Sequence, residues 1–145
     1  MLDRLRIEPE VIEAIRGAAS AAYPHEGCGA LIGRPDGPVV ESIELPNRET
    51  GRPRVRFTVS PTDYLAVEET ADRRGLALLG FWHSHPDHPA RPSETDRRYA
   101  WPELLTVIIN VASGQPGEIT AWQLADHEAE FEEVELVGAE PAAFD

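Results

Sequence analysis

The chain has 145 residues and a formal net charge of −13, and its 13 basic residues are all arginine. So large an acidic excess disfavours binding to nucleic acid or to an anionic membrane surface, because phosphate groups would be repelled. No apolar run approaches the roughly 20 residues needed to cross a bilayer, and the first residues lack the apolar stretch of a signal peptide. The single cysteine, Cys28, excludes an internal disulfide and suits a reducing compartment. We therefore expect a cytoplasmic protein with one domain over residues 1–145.

Hydrophobic spacing and turn signals predict an α/β or α+β fold, with a mixed sheet flanked by helices. The predicted elements, in chain order, are a helix over 8–23, a hairpin of 28–33 and 39–45, a strand over 55–59, a helix over 61–74, a strand over 76–82, a short helix that begins at 93, and strands over 104–111, 119–124 and 131–137. A turn is expected over 113–117. The Glu-rich last strand is predicted to form an edge of the sheet.

The most informative stretch follows the predicted strand over 76–82. His83, Ser84 and His85 are followed, after a gap of seven residues, by Ser93 and then by Asp96. Positions i and i+2 of a strand face the same side, so the two histidines can converge. Two imidazoles and one carboxylate are suitable zinc ligands, and three protein ligands leave one position open, as in catalytic zinc sites. We therefore predict one Zn2+ ion, bound by His83, His85 and Asp96.

Each part of this pattern also has a simpler interpretation. A pair of histidines at a strand end can consist of ordinary surface or core residues. Ser93 and Asp96 are equally typical of a helix start, with Ser93 as the N-cap. The two interpretations of Ser93 and Asp96 are compatible, because a helix N-terminus beside a metal would hold the carboxylate in place. Taken together, the residues favour a metal-activated hydrolase.

Hydrolysis by a zinc-activated water also needs a group that takes and returns a proton. Glu26 is a candidate, because it precedes a strand rich in small residues that would permit close approach to a neighbouring site. From position alone, a surface glutamate at the start of a strand is the simpler interpretation.

The chain resembles the JAMM (MPN+) metalloprotease family, whose signature is an upstream glutamate followed by HxH-x7-SxxD. The resemblance rests on residues 24–33, 46–47, 56–57, 61, 82–86 and 92–96. It implies a sheet flanked by helices, similar to the cytidine deaminases. It further implies that His83, His85 and Asp96 bind zinc, that Glu26 is the general base and that Ser93 stabilises the oxyanion.

Catalytic members of this family cut amide or isopeptide bonds after the C-terminal glycines of ubiquitin-like proteins. The chain lacks room for the insertions of eukaryotic members and looks like the compact prokaryotic type, which is associated with ubiquitin-like sulfur carriers of the β-grasp fold. The resemblance therefore implies a zinc isopeptidase that acts on such a carrier or its conjugate. We expect a monomer or a weak homodimer. A zinc hydrolase of small-molecule or short-peptide amides, and a non-catalytic scaffold, stay open as alternatives.

Arginines cluster between residues 48 and 56 of this acidic chain. Arg52, Arg54 and Arg56 would share one face if the segment were extended, and that face could dock an acidic carrier surface. A solvated strand edge, charged against aggregation, is an equally good interpretation. His88, in the proline-rich loop before Ser93, is a further candidate for substrate contact, although an exposed loop histidine is the simpler interpretation.

Overall fold

A computed structural model describes residues 2–126 and 128–138 of the chain. This part forms a seven-stranded mixed sheet with helices packed against it. The elements are β1 (Arg4–Arg6), α1 (Pro9–Ala22), β2 (Cys28–Gly33), β3 (Val39–Leu45), α2 (Pro61–Arg73), β4 (Ala77–Pro86), α3 (Glu94–Tyr99), β5 (Leu105–Ala112), β6 (Gln115–Gln123) and β7 (Glu132–Val137). Within the described residues, no helix is both long and apolar enough to pass through a membrane.

The strands lie side by side in the order β1-β7-β6-β5-β4-β2-β3. β4 and β5 are parallel, as are β1 and β7, and the other neighbours are antiparallel. The last eight residues of β4 are all buried, as expected for a strand covered on both faces. The C-terminal end of β4 therefore lies inside the sheet, between β2 and β5, and it carries both motif histidines.

α1 covers one face of the sheet. Its apolar residues recur at helical spacing, so one stripe of the helix packs on the strands. The buried cluster on this face includes Val11, Ile12, Ile15 and Ala19 of the helix and Leu31, Trp82, Val107, Ile109, Ala121 and Val134 of the sheet. This cluster is the larger of the two cores and fixes the sheet on which the site is built.

Gly29 of β2 packs against this core. A Cβ atom on Gly29 would lie 2.3 Å from Nε1 of Trp82 and 2.7 Å from the carbonyl oxygen of Ile43. Trp82 faces away from His83 and His85, because neighbouring residues of a strand point to opposite faces. The expectation that small residues here permit close approach to the site rests instead on Cys28, which pairs with His83 across the two strands and shares its face.

α2 packs on the opposite face against β2 and β4. The smaller core there contains Cys28, Ala30, Val59, Val67 and Phe81. Cys28 is fully buried, and burial raises the pKa of its thiol to about 12. A thiol in this state is an inert packing group.

The strand predicted over residues 55–59 is wrong. Residues 53–55 form a turn, and residues 56–60 have no regular structure. The amide of Asn47 explains this, because its Nδ2 donates to the carbonyl oxygen of Arg56 and its Oδ1 accepts from the backbone N–H of Thr58. The premise that Arg52, Arg54 and Arg56 share the face of an extended segment is wrong as well.

Both ends of the described chain meet in one strand pair. β1, which the sequence did not predict, pairs in parallel with β7, and its Leu5 is fully buried. β7 is therefore an inner strand, and its prediction as an edge is wrong. The turn predicted over 113–117 is reduced to Ser113 and Gly114, both at positive φ, which suits a two-residue hairpin. β6 accordingly begins at Gln115.

Candidate metal centre

His83 and His85 bring their Nε2 atoms to within 3.2 Å of each other at the end of β4. The carboxylate of Asp96, from α3, faces both of them. Its Oδ1 lies 3.0 Å from Nε2 of His83, and its Oδ2 lies 2.9 Å from Nε2 of His85. The structure thus brings the three predicted ligands together, and their ligand atoms all lie within 4.8 Å of one another.

The donor set fits a small tetrahedral cation. Zinc bonds of about 2.1 Å place neighbouring ligand atoms roughly 3.4 Å apart, close to the separations seen between these three side chains. Burial alone would raise the pKa of Asp96, but His83 and His85 hold it well below its usual range. The carboxylate is therefore ionised, as a metal ligand must be. His83, His85 and Asp96 could hold a metal ion.

Contacts around the two rings fix their orientation. Nδ1 of His85 lies 2.8 Å from the carbonyl oxygen of Pro89, to which it donates in the neutral tautomer that leaves Nε2 free. The ring of His83 stacks on Phe57, with centroids 4.6 Å apart. Both histidines therefore present Nε2 to the same point.

Ser93 and Asp96 form the capping box that opens α3. Oγ of Ser93 accepts from the backbone N–H of Asp96 at 3.0 Å, and the N–H of Ser93 donates to Oδ2 of Asp96 at 2.9 Å. The predicted helix start is confirmed. Because Oγ serves here as an acceptor, the hydroxyl hydrogen of Ser93 is left to donate elsewhere.

Glu26 is buried just before β2, with 4% of its surface exposed. The interpretation as a surface glutamate is therefore wrong. Burial raises its pKa to about 7, against the lowering effect of His83 and His85. Its Oε1 has no hydrogen-bond partner within residues 2–126 and 128–138. A buried carboxyl of near-neutral pKa with an unused oxygen is suited to receive and return a proton.

Three hydrogen bonds hold the backbone around Glu26. Its N–H donates to the carbonyl oxygen of Pro53 at 2.7 Å, and its carbonyl oxygen accepts from Nδ2 of Asn47 at 3.0 Å. The next N–H, that of Gly27, donates to Oγ of the buried Ser84 at 2.8 Å. The positions of Ser84, between the two histidines, and of Asn47, in a segment that resembles the family, were the available signals for these contacts.

An apolar cleft lies on one side of the candidate ligands. It has a volume of about 350 Å³ and reaches His83 and Asp96. The apolar side chains that line it are Phe57, Val59, Phe81, Tyr99, Ala100, Trp101, Leu104 and Leu105. The sequence did not predict this cleft, because its walls come from four separate segments.

A basic cleft of about 420 Å³ lies on the other side and reaches His85 and Glu26. The residues that line it are Glu26, Arg52, Val55, Arg56, His85, His88, Pro89, Arg91, Ser93 and Thr95. The structure therefore places the candidates Arg52, Arg56 and His88 beside the site. Arg54 lines neither cleft and acts electrostatically on Tyr23 and Asp87 instead.

Comparison with known proteins identifies the family. Residues 8–125 match the family described as prokaryotic homologs of the JAB domain. The chain belongs to this family. A desampylase of Haloferax volcanii is 31% identical over 99 residues, which cover 68% of this chain and 71% of that protein. A probable TtuB-protein conjugate cleaving protease of Thermus thermophilus is 34% identical over 90 residues, which cover 62% of this chain and 59% of that protein.

Solved structures share this fold. A solution structure of a protein from Desulfitobacterium hafniense has a TM-score of 0.79 at 30% identity and covers 92% of this JAB-family chain and 91% of its own. A JAB1/MPN domain protein from Archaeoglobus fulgidus, at 24% identity, has a TM-score of 0.56 and covers 91% of this chain and 98% of its own. The second likeness concerns the fold alone. The predictions of a JAMM-family protease and of a mixed sheet flanked by helices are confirmed.

Proposed function

We propose that this protein is a zinc-dependent isopeptidase, which hydrolyses the amide bond after the C-terminal Gly-Gly of a ubiquitin-like or sulfur-carrier protein. The observation that carries the proposal is the buried Glu26 beside His83, His85 and Asp96, where the two clefts meet. Relatives named for desampylation and for cleavage of TtuB conjugates support the class of substrate.

A zinc ion held by His83, His85 and Asp96 would supply Lewis acidity, which polarises the scissile carbonyl and lowers the pKa of water to about 7. Glu26 takes the proton of the attacking water on its unpartnered Oε1 and returns it to the leaving amine. The Ser93 hydroxyl donates a hydrogen bond to the oxyanion. This bond lowers the activation free energy by roughly 3 kcal/mol, by comparison with other oxyanion-hole donors.

The position of Glu26 orients the substrate. Glu26 lines the basic cleft and does not line the apolar cleft. Because Glu26 protonates the leaving amine, the leaving group lies in the basic cleft. The carrier's extended tail then approaches through the apolar cleft, along residues 56–59, and its glycines bring no side chain to the buried ligands.

The test is cleavage of a defined conjugate by the zinc-loaded protein. The probe is a β-grasp protein whose terminal glycine is joined to the ε-amine of a lysine in a short peptide, and the products are weighed by mass spectrometry. We expect cleavage after Gly-Gly, its loss on removal of zinc with a chelator, and its loss in Glu26→Gln. Glu44→Gln, a change at an exposed residue of β3, is the matched control and should stay active.

Cleavage that survives the chelator, or a fully active Glu26→Gln, would overturn the mechanism. Hydrolysis of short Gly-Gly peptide amides without cleavage of any carrier conjugate would instead support the small-substrate hydrolase. An intact conjugate and intact peptides, in the presence of bound zinc, would favour the non-catalytic scaffold.

A further inference from the structure

The basic cleft is lined mainly by basic side chains, although the molecule as a whole is acidic. The whole chain carries a formal net charge of −13, but three arginines and two histidines line this cleft, and Glu26 is the one acidic residue among its lining. Arg52 and Arg56 come from the irregular segment that follows Asn47, and His88 and Arg91 come from the loop between β4 and α3. Two separate segments thus converge with positive charge on the side where the leaving group is expected.

The guanidinium groups of Arg52 and Arg56 form no ion pair or hydrogen bond within the described part of the chain. Most other arginines in that part pair with carboxylates: Arg4, Arg16, Arg48, Arg74, Arg91 and Arg97. The charge of Arg56 acts on the carboxylate of Glu49, but that carboxylate takes its hydrogen bonds from the backbone N–H groups of Gly51 and Arg52 and from the hydroxyl of Thr58. Arg52 therefore offers this cleft an unpaired guanidinium, and so does Arg56, which lines the apolar cleft as well.

We propose that the leaving group carries a carboxylate close to the scissile nitrogen, and that Arg52 and Arg56 bind this carboxylate. The inference rests on the proposed function, because it takes the orientation of the substrate from Glu26. A guanidinium fork matches the two oxygens of a carboxylate and binds it with charge-assisted hydrogen bonds. His88 and Arg91 line the same cleft from the loop between β4 and α3.

Two kinds of leaving group present such a carboxylate. A single amino acid released from the carrier's end has its α-carboxylate carbon about 2.5 Å from the amine nitrogen. A lysine within a protein lacks a free α-carboxylate, but an acidic residue next to it would place a carboxylate in the same cleft. Both leaving groups present a carboxylate near the scissile nitrogen. It is the α-carboxylate in the first and a neighbouring side chain in the second.

Binding to the zinc-loaded Glu26→Gln variant tests the inference without turnover. The first pair of probes is acetyl-Gly-Gly-Ala as the free acid and as the carboxamide. The second pair carries acetyl-Gly-Gly on the lysine side chain of Ala-Lys-Asp or Ala-Lys-Asn, each blocked at both ends. Dissociation constants are measured by NMR titration. We expect the acid to bind at least about tenfold more tightly than its neutral partner in one of the two pairs, and that pair identifies the source.

Arg52→Gln and Arg56→Gln, each added to Glu26→Gln, should reduce this preference toward unity. Arg54→Gln is the matched control on the same segment and should keep the preference, because Arg54 lines neither cleft. An acid that binds no better than its neutral partner in both pairs would overturn the inference. A preference that survives in the Arg52→Gln Arg56→Gln double variant would also overturn it, since the carboxylate would then be bound by the metal.

The two proposals fail separately. Cleavage of the conjugate without any preference for the acid would refute the carboxylate site and support the isopeptidase activity. A clear preference for the acid without cleavage of any conjugate would leave an anion-binding cleft and remove the isopeptidase.

Discussion

The two clefts beside the candidate ligands are of similar size but differ in the number of basic side chains that line them. The apolar cleft is walled by aromatic and aliphatic side chains from the sheet, α3 and the segment after Asn47. The basic cleft is walled by arginines and a histidine from two loops. Apolar walls gain affinity from contact area, whereas charged walls select for charge. The difference indicates that the site distinguishes the two sides of the bond it would cut.

Asp96 faces His83, which lines the apolar cleft, and His85, which lines the basic cleft, so a change there should abolish the functions of both. Asp96→Asn keeps an oxygen that can cap α3 but removes the negative charge between His83 and His85. We expect loss of bound zinc, measured by metal analysis, and loss of conjugate cleavage to the detection limit.

The control is Asp63→Asn. Asp63 occupies the corresponding capped position at the start of α2, where its N–H donates to Oγ of Ser60. This variant should keep its zinc and its activity. Full zinc content and activity in Asp96→Asn would contradict the assignment of the ligand.

Glu26 belongs to the basic cleft, so its replacement should affect chemistry on that side alone. Glu26→Gln should lower kcat for the conjugate by about 10²–10⁴, the range of a lost general acid–base group. KM and zinc content should change little, because the carrier's tail binds in the other cleft. A steady-state comparison with Glu44→Gln measures the effect, and an unchanged kcat would show that Glu26 is not the general base.

Asn47 connects the clefts, because its amide makes four hydrogen bonds to the backbone of Glu26, Glu49, Arg56 and Thr58. Asn47→Ala should lower the free energy of unfolding by about 2 kcal/mol, since partly buried groups lose their partners. Denaturant unfolding measures the change. Asn110→Ala, which removes a single exposed bond to the carbonyl oxygen of His88, should cost less, and an equal loss would contradict the connecting role of Asn47.

Tyr99 should report on the apolar cleft alone. It lines this cleft but is 61% exposed, so it contributes little to the core. Tyr99→Ala should raise KM for the conjugate about fivefold, the effect of losing roughly 1 kcal/mol of contact, with unchanged kcat. Leu65 on α2 is similarly exposed, at 58%, and lies outside both clefts. An unchanged KM in Tyr99→Ala, or an equal rise in KM in Leu65→Ala, would show that the apolar cleft does not bind the substrate.

The parts of the fold that local patterns determine were predictable. The apolar spacing of α1, the continuous apolar run of β4 and the Ser93–Asp96 helix start all appear in the structure. Each depends on residues a few positions apart. The convergence of His83, His85 and Asp96 was predictable for the same reason, because strand alternation and a short loop determine it.

The parts that depend on distant contacts were not predictable. β1 exists because Arg4–Arg6 pairs with a strand some 130 residues away, and three residues carry no pattern of their own. Residues 55–59 look like a strand, but the side chain of Asn47 bonds to their backbone. The role of Gly29 depends on Trp82 across the sheet. Both clefts likewise consist of residues that only the folded chain brings together.

The capping box of α3 makes one carboxylate common to the helix start and to the candidate metal centre. Oδ2 of Asp96 accepts from the N–H of Ser93 while it faces Nε2 of His85. A cation bound to this carboxylate would therefore also order the first turn of α3, so metal affinity and helix stability are thermodynamically linked. Removal of the Ser93 hydroxyl would weaken both at once. Ser93→Ala would therefore change both the stability of α3 and the affinity for the metal. A bound metal ion would in turn stabilise the folded conformation of this helix start.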